Sequence, residues 1–136
     1  MQNNQEKIEA IYRTKQTSSF ISLISLLMSM HADRIAYINQ KRKIEEYLSN
    51  QIAINAIYLS FISSFIDLGL ALSLYEELLS KNQSQQNPLA LQSIMELILS
   101  RFTSIISLFL LLRSAYHGLE AEERTQQSIL PNVTSV

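Results

Sequence analysis

The first 68 residues contain neither glycine nor proline, and this absence constrains the fold more than any other feature. Glycine and proline are the residues that most often end helices and form turns. The whole chain has only two of each: Gly69, Gly118, Pro88 and Pro131. No stretch sustains the apolar–polar alternation of a half-buried strand. The sequence therefore predicts an all-α protein built from long helices.

Short polar stretches predict where these helices end. The clearest is SKNQSQQNP at 80–88, and a second is LSNQ at 48–51, where Ser49 or Asn50 can cap the next helix. A third stretch, MHAD at 30–33, leaves open a break or one unbroken helix. We predict a single domain, residues 1–136: an antiparallel hairpin of two long apolar helices plus one or two N-terminal helices. The predicted helices lie at about 4–30, 33–48, 51–80 and 89–127, with a loop at 81–88 and a frayed tail at 128–136.

Serine recurs every three or four residues within three otherwise apolar segments. Residues 18–30 read SSFISLISLLMSM, and the segments 52–72 and 94–112 repeat the pattern. At about 100° per residue, the recurring serines of each segment fall on one side of its helix. We call nine of them the serine seam: Ser18, Ser22, Ser25, Ser29, Ser60, Ser64, Ser100, Ser104 and Ser107. Ser63 and Asp67 lie on the same side of the second segment.

The serine seam predicts how these helices face their surroundings. A helix stripe that faces water is usually built from charged residues and glutamine, which form helices better than serine does. Serine is small, and its hydroxyl can bond its own helix or the next one, so two helices can approach closely in lipid. We therefore expect the serine seam to face neighbouring helices and the aliphatic sides to face lipid or a partner. The alternative is a soluble bundle with the aliphatic sides inside.

The charges also favour a membrane. Charged residues make up 17% of the chain, against about 25% in average soluble domains. Segments 52–74 and 89–112 are long enough to span a bilayer, whereas 18–30 is too short by itself. If only these two segments cross, nine basic residues lie on one side and Lys81 on the other, which places both termini in the cytoplasm. If 18–30 also crosses, the basic residues divide six against four.

Two opposite charges lie inside the apolar segments. In an antiparallel hairpin that turns near residues 84 and 85, Asp67 stands level with about residue 102. Arg101 is therefore at the right height to pair with it, and Glu96 is a competing partner. Charges at bilayer depth are costly unless they are paired or face a cavity. We predict a buried ion pair between Asp67 and Arg101 that fixes the register of the hairpin.

Residues 34–48, RIAYINQKRKIEEYL, combine aliphatic residues, tyrosines and a basic cluster. A basic amphipathic helix of this kind is typical of a contact with an anionic membrane surface. The candidate contact residues are Arg34, Lys41, Arg42 and Lys43. The alternative is an ordinary bundle helix with a solvated charged side, because Glu45 and Glu46 dilute the positive charge.

Composition argues against several function classes. The chain has no cysteine, so disulfides and thiolate chemistry are excluded. Its net charge of −1 gives no global field that favours nucleic acid. His31 and His117 stand without a ligand pattern, and Met28 and Met30 point about 200° apart on a helix. No catalytic constellation is visible, so we expect no enzyme activity, cofactor, metal site or small-molecule substrate.

These observations favour a small integral membrane protein that serves as a structural or accessory subunit of a larger assembly. Its partners would be the lipid bilayer and either another protein or further copies of itself. The alternative is a soluble, cytoplasmic helical adaptor or effector that oligomerises or binds a partner's amphipathic helix.

Overall fold

The computed structural model describes residues 4–42, 47–81 and 87–129. Within these ranges the chain forms three helices and no strand: α1 (Asn4–Arg42), α2 (Tyr47–Leu79) and α3 (Pro88–Ile129). At 1.5 Å per residue the helices are about 58, 50 and 63 Å long. The predicted all-α fold is confirmed, and each helix exceeds the roughly 30 Å of a bilayer's hydrocarbon core.

Helix α2 lies in the middle and packs against both other helices, whereas no Cα atom of α1 lies within 8 Å of a Cα atom of α3 in the described ranges. Hydrogen bonds join Ser18 to Asp67 and Ser25 to Ser60, so α1 and α2 run antiparallel. Asp67 also pairs with Arg101, so α2 and α3 form the predicted antiparallel hairpin. The three helices therefore leave an open cleft between α1 and α3, with α2 as its floor.

Of the two possibilities left open at 30–33, a break or one unbroken helix, the break is wrong, because α1 is continuous from Asn4 to Arg42. Asp33, the last residue of that stretch, is exposed in the middle of this helix. No glycine or proline interrupts the backbone here, and Ala32 is only 3% exposed. The helix thus keeps packing on α2 beyond the point where its serines end. Of the residues predicted to extend this helix to 48, those at 43–46 lie outside the described ranges.

The predicted cap at Ser49 or Asn50 is also wrong, because α2 begins at Tyr47. Ser49 is 3% exposed inside the helix, and the Asn50 amide donates a hydrogen bond to Glu122 at 3.2 Å. Both residues therefore lie within α2 rather than at its start. In contrast, the start of α3 agrees within one residue: the Asn87 side chain accepts the Leu89 N–H at 3.0 Å and caps the helix.

Little of the apolar surface is inside. Among the side chains that the structure describes, the buried apolar residues are Ala32, Ile54, Ala56, Ile57, Leu68 and Ala71, while 24 large apolar side chains are exposed. The accessible surface is 10633 Å², compared with roughly 7300 Å² for a compact protein of this mass. The three helices are long and apolar enough to cross a membrane, at Gln5–Lys41, Ser49–Leu79 and Pro88–Thr125.

Candidate functional site

Serine hydroxyls join α1 directly to the backbone of α2. Ser25 is 4% exposed; its hydroxyl donates to the Ala56 carbonyl oxygen at 2.7 Å and lies 2.6 Å from the Ser60 hydroxyl. A bond from so short a side chain to a neighbouring carbonyl requires the two backbones to lie close together. Small side chains permit this approach, and Ala56 is 1% exposed at the contact.

One turn of α2 further on, Ser63 is the centre of a second hydroxyl contact. Ser63 is 3% and Ser18 1% exposed, and their hydroxyl oxygens lie 2.9 Å apart. Each hydroxyl is also within hydrogen-bond distance of the other residue's carbonyl oxygen. Ser22 bonds the Ser63 hydroxyl from the next turn of α1. Ser63 therefore binds two residues of α1, although we did not count it in the serine seam.

Asp67 connects all three helices. Its Oδ1 accepts a hydrogen bond from the Ser18 hydroxyl at 2.7 Å, and its Oδ2 lies 3.3 Å from Nη2 of Arg101. The structure thus places the two predicted partners in an ion pair. Their side chains are 22% and 38% exposed, respectively, so the pair is less buried than predicted. The reason is that α1 and α3 do not close over it.

The ion pair divides the cleft into two parts. The part that runs from the ion pair toward Ser29, Ser60 and Ser107, which we call the upper part, is a groove of about 990 Å³. Every member of the serine seam except Ser18 lines it: Ser22, Ser25, Ser29, Ser60, Ser64, Ser100, Ser104 and Ser107. The same cavity includes Glu96 and Thr103 of α3. Three serine-bearing sides that are far apart in sequence therefore meet around one open, hydroxylated groove, which we call the serine groove.

On α3 the serine seam does not reach another helix. The Ser104 hydroxyl donates to the Ser100 carbonyl at 2.9 Å, and the Ser107 hydroxyl donates to the Thr103 carbonyl at 3.0 Å. For these two serines, the expectation that the serine seam faces neighbouring helices stays a prediction. Because the open groove separates α1 from this side of α3, the Ser104 and Ser107 hydroxyls bond their own helix instead. They remain on the wall of the groove.

The lower part of the cleft has a different chemistry. It has a volume of about 360 Å³ and is lined mainly by apolar residues of α1 and α2, with Leu97 from α3. Asp67 and Arg101 line both parts. The ion pair therefore stands at the boundary between a hydroxylated and an aliphatic half of one cleft. Lys15 also lines the lower half, a cation that the sequence analysis did not associate with Asp67.

The candidate membrane-surface residues are only partly described. Arg34 and Lys41 are exposed on α1. Arg42 ends that helix, and its side chain, together with all of Lys43, lies outside the described part of the chain. Their arrangement as a basic surface stays a prediction. Both histidines are exposed, and His117 Nδ1 lies 3.9 Å from Glu120 on the same helix.

Two polar contacts between α2 and α3 were not predicted. The Tyr58 and Tyr116 hydroxyls lie 2.9 Å apart on the exposed surface, and Asn50 bonds Glu122. Extending the hairpin register from the Asp67–Arg101 level places Tyr58 opposite about residue 110 and Asn50 opposite about residue 118, so the register alone does not predict either pair.

No protein-family model matches this sequence, and no curated protein or solved structure resembles it significantly. The fold and the cleft are therefore interpreted from their own chemistry.

Proposed function

We propose that this protein is a small integral membrane protein that acts as a structural or accessory subunit of a larger assembly. In this proposal the serine groove receives a transmembrane helix of the partner. The observation that carries it is the distribution of side chains: large aliphatic and aromatic residues point outward, while hydroxyls converge on one cleft. This is the reverse of what a soluble monomer needs.

The outward surface supports insertion into lipid. Phe20, Ile106 and Phe109 are 63%, 60% and 60% exposed. In water, leaving one such side chain exposed forgoes about 1.5–3 kcal/mol of burial free energy. Because exposed apolar residues occur on all three helices, one small partner interface would not cover them. A bilayer covers them all, whereas the soluble alternative requires an extensive oligomer.

The packing of α1 supports three crossings rather than two. Ser18 and Ser25 bond residues in the middle of α2, so α1 lies at the same depth as α2 along its apolar segment. If α2 spans the bilayer, α1 crosses with it, and the termini then lie on opposite sides. The two-span prediction, with both termini in the cytoplasm, requires α1 to leave α2. The six-to-four division of basic residues is too even to orient the three-span form.

The serine groove supports the choice of partner. Lipid tails cannot hydrogen-bond, and polar side chains in membrane proteins normally face other helices or a cavity. Hydroxyls and small side chains are the usual contacts between membrane helices. We therefore expect the occupant of the serine groove to be a helix with its own small residues on one side. A second copy of this chain is the alternative occupant.

Extraction and tag accessibility test the membrane part of the proposal. We expect the protein to stay in the pellet after alkaline carbonate extraction and to require detergent for solubility. Tags on the N- and C-termini should be accessible to protease from opposite sides of sealed vesicles. Release as a monodisperse species without detergent would contradict membrane insertion. Accessibility of both tags from the same side would instead support the two-span hairpin.

Photocrosslinking tests the groove. A photoreactive residue at Ser104 lies on the groove wall, while one at Ile106 lies two residues away, is exposed, and is not part of that wall. In native membranes, we expect a discrete protein adduct from position 104 and none, or only lipid, from position 106. When two copies of the chain with different tags are co-expressed, an adduct that carries both tags identifies a homo-oligomer. Equal crosslinking at both positions would contradict a partner seated in the groove.

A further inference from the structure

The lower part of the cleft has charges at one end and aliphatic walls beyond them. Its volume of about 360 Å³ falls within the range of about 300–1,000 Å³ that is usual for small-molecule sites. Lys15 precedes Ser18, the residue that bonds Asp67, by less than one helical turn, so Lys15 and the ion pair lie at the same end. The aliphatic walls are formed by Ile8, Ile11, Leu70, Leu74 and Leu97. This part of the cleft is therefore amphiphilic along its length.

The charges at this end do not cancel. Two cations, Lys15 and Arg101, line the lower part together with one carboxylate, that of Asp67, which leaves a net charge of +1. Both oxygens of Asp67 are already bound, Oδ1 by the Ser18 hydroxyl and Oδ2 by Arg101. Lys15 forms no ion pair with any residue that the structure describes. Glu96 lines the serine groove but not the lower part. The charged end can therefore accept one further negative charge.

Arg101 also has hydrogen-bond donors that no described residue uses. A guanidinium group carries five N–H donors, and the ion pair with Asp67 is made through Nη2. The Nε atom of Arg101 is buried and has no hydrogen-bond acceptor within the described part of the chain. A buried donor without an acceptor is costly. An anion at this end of the cleft would bring acceptors that the described residues do not supply.

We propose that the lower part of the cleft binds a long-chain fatty acid, with its carboxylate at Lys15 and Arg101 and its chain along the aliphatic walls. A carboxylate brings one negative charge and accepts hydrogen bonds in the geometry that a guanidinium group offers. The lower part extends about 10 Å along α1 from Lys15 to Ile8, so the end of a long chain passes through the open side of the cleft into lipid.

The position of the charges favours a fatty acid over an anionic phospholipid. Asp67 and Arg101 lie inside the apolar segments 52–72 and 94–112, and a bulky headgroup would have to leave the bilayer surface to reach them. A carboxylate is small enough to enter the cleft with its chain. This inference goes beyond the proposed function and requires no partner protein.

A fatty acid with a photoreactive group in its chain tests the site. The purified full chain in phosphatidylcholine nanodiscs is illuminated with this acid or with the methyl ester of the same chain, at equal concentrations in the bilayer. The ester keeps the hydrocarbon and removes the negative charge. We expect adducts on residues 8–15, 70–74 and 97, with a yield at least about fivefold higher for the acid, the factor expected for one contact between a lysine and an anion at a membrane.

Variants of Lys15 test the role of the charge. Lys15 is exposed, so its replacement should leave the helices folded, which circular dichroism checks. We expect Lys15→Gln to lower the acid adduct about fivefold, and Lys15→Glu to remove the preference for the acid over the ester. Lys7→Gln is the matched control, because Lys7 is also exposed on α1 but lines neither part of the cleft. It should leave the yield unchanged.

Three results would overturn the proposal. These are equal labelling by the acid and the ester, an unchanged acid adduct in both Lys15 variants, and equal competition by an anionic phospholipid and the unlabelled fatty acid. The last result would show that the charged end takes lipid headgroups in general. Because the experiment uses the purified chain alone, its failure would leave the extraction, tag and partner-crosslinking results standing.

Discussion

The two sides of α2 are held by different chemistry. Toward α1, short hydroxyls bond directly to α2, including the Ala56 carbonyl oxygen. Toward α3, the polar links join longer side chains, Tyr58 to Tyr116 and Asp67 to Arg101. Serines on the facing sides of α1 and α2 bond to each other and hold the two backbones close together, whereas the serines of α3 line a groove. The same residue type thus serves as contact or as wall, depending on whether a neighbour comes within reach.

The largest test of this difference places the same bulky residue on each side. Ser63→Leu inserts a branched side chain between α1 and α2 and removes the bonds to Ser18 and Ser22. We expect a loss of about 3 kcal/mol in the free energy of unfolding, the sum of overpacking and lost hydrogen bonds. The matched control, Ser104→Leu, adds the same volume to the open groove and should change it by less than about 0.5 kcal/mol.

The free energy of unfolding of both variants is measured in mixed micelles by titration with a denaturing detergent. Equal losses in the two variants would mean that the groove is as tightly packed as the α1–α2 contact. The distinction between a hydroxyl contact and a hydroxyl wall would then fail.

The second test addresses the residue that links both sides. Asp67→Leu leaves Arg101 without its counter-charge and removes the acceptor of Ser18. We expect a loss of about 2 kcal/mol, less than for a fully buried pair because both side chains are partly exposed. A charge swap at both positions should recover part of it, with a coupling of about 0.6–1.7 kcal/mol in a double-mutant cycle. Zero coupling would show that the ion pair between Asp67 and Arg101, 3.3 Å apart, contributes nothing to the register of the hairpin.

The sequence predicted which side of each helix carries the hydroxyls, but not how close another helix lies to that side. The absence of glycine and proline before Gly69 was enough to predict long helices, and the spacing of serine was enough to place the hydroxyls of each segment on one side. The height of Asp67 against Arg101 followed from the hairpin turn alone. These are local properties, and they depend only on helix geometry.

The open cleft could not be predicted in this way. Ser25 and Ser104 have the same periodic setting, yet one bonds the carbonyl of another helix and the other bonds its own. Periodicity does not report how far away the next helix lies. The choice between a break and an unbroken helix at 30–33 stayed open for a related reason, since a polar residue such as Asp33 caps a helix only where the backbone has already left it.

A smaller effect is expected when single hydroxyls are removed without adding bulk. Ser25→Ala should cost about 1 kcal/mol, because the Ser60 hydroxyl and the Ala56 carbonyl lose a partner at a buried site. Ser107→Ala removes a hydroxyl that bonds only its own helix among the described residues, and should be neutral within about 0.5 kcal/mol. The same micelle titration measures both, and a Ser107 loss that matches the Ser25 loss would show that the α3 hydroxyls also make a stabilising contact.

The smallest expected effect lies at the tyrosine pair. The Tyr58 and Tyr116 hydroxyls bond each other on the exposed surface, where each can exchange its partner for water or a lipid headgroup. We therefore expect Tyr58→Phe to lower stability less than Ser25→Ala, and the double variant with Tyr116→Phe to cost no more than either single change. A larger loss in detergent micelles than in nanodiscs would mean that lipid headgroups replace the missing hydroxyl. A loss exceeding that of Ser25→Ala in both media would reverse this ranking of stability losses. The contact between α2 and α3 would then depend more on its tyrosine pair than the contact between α1 and α2 depends on the Ser25 hydroxyl.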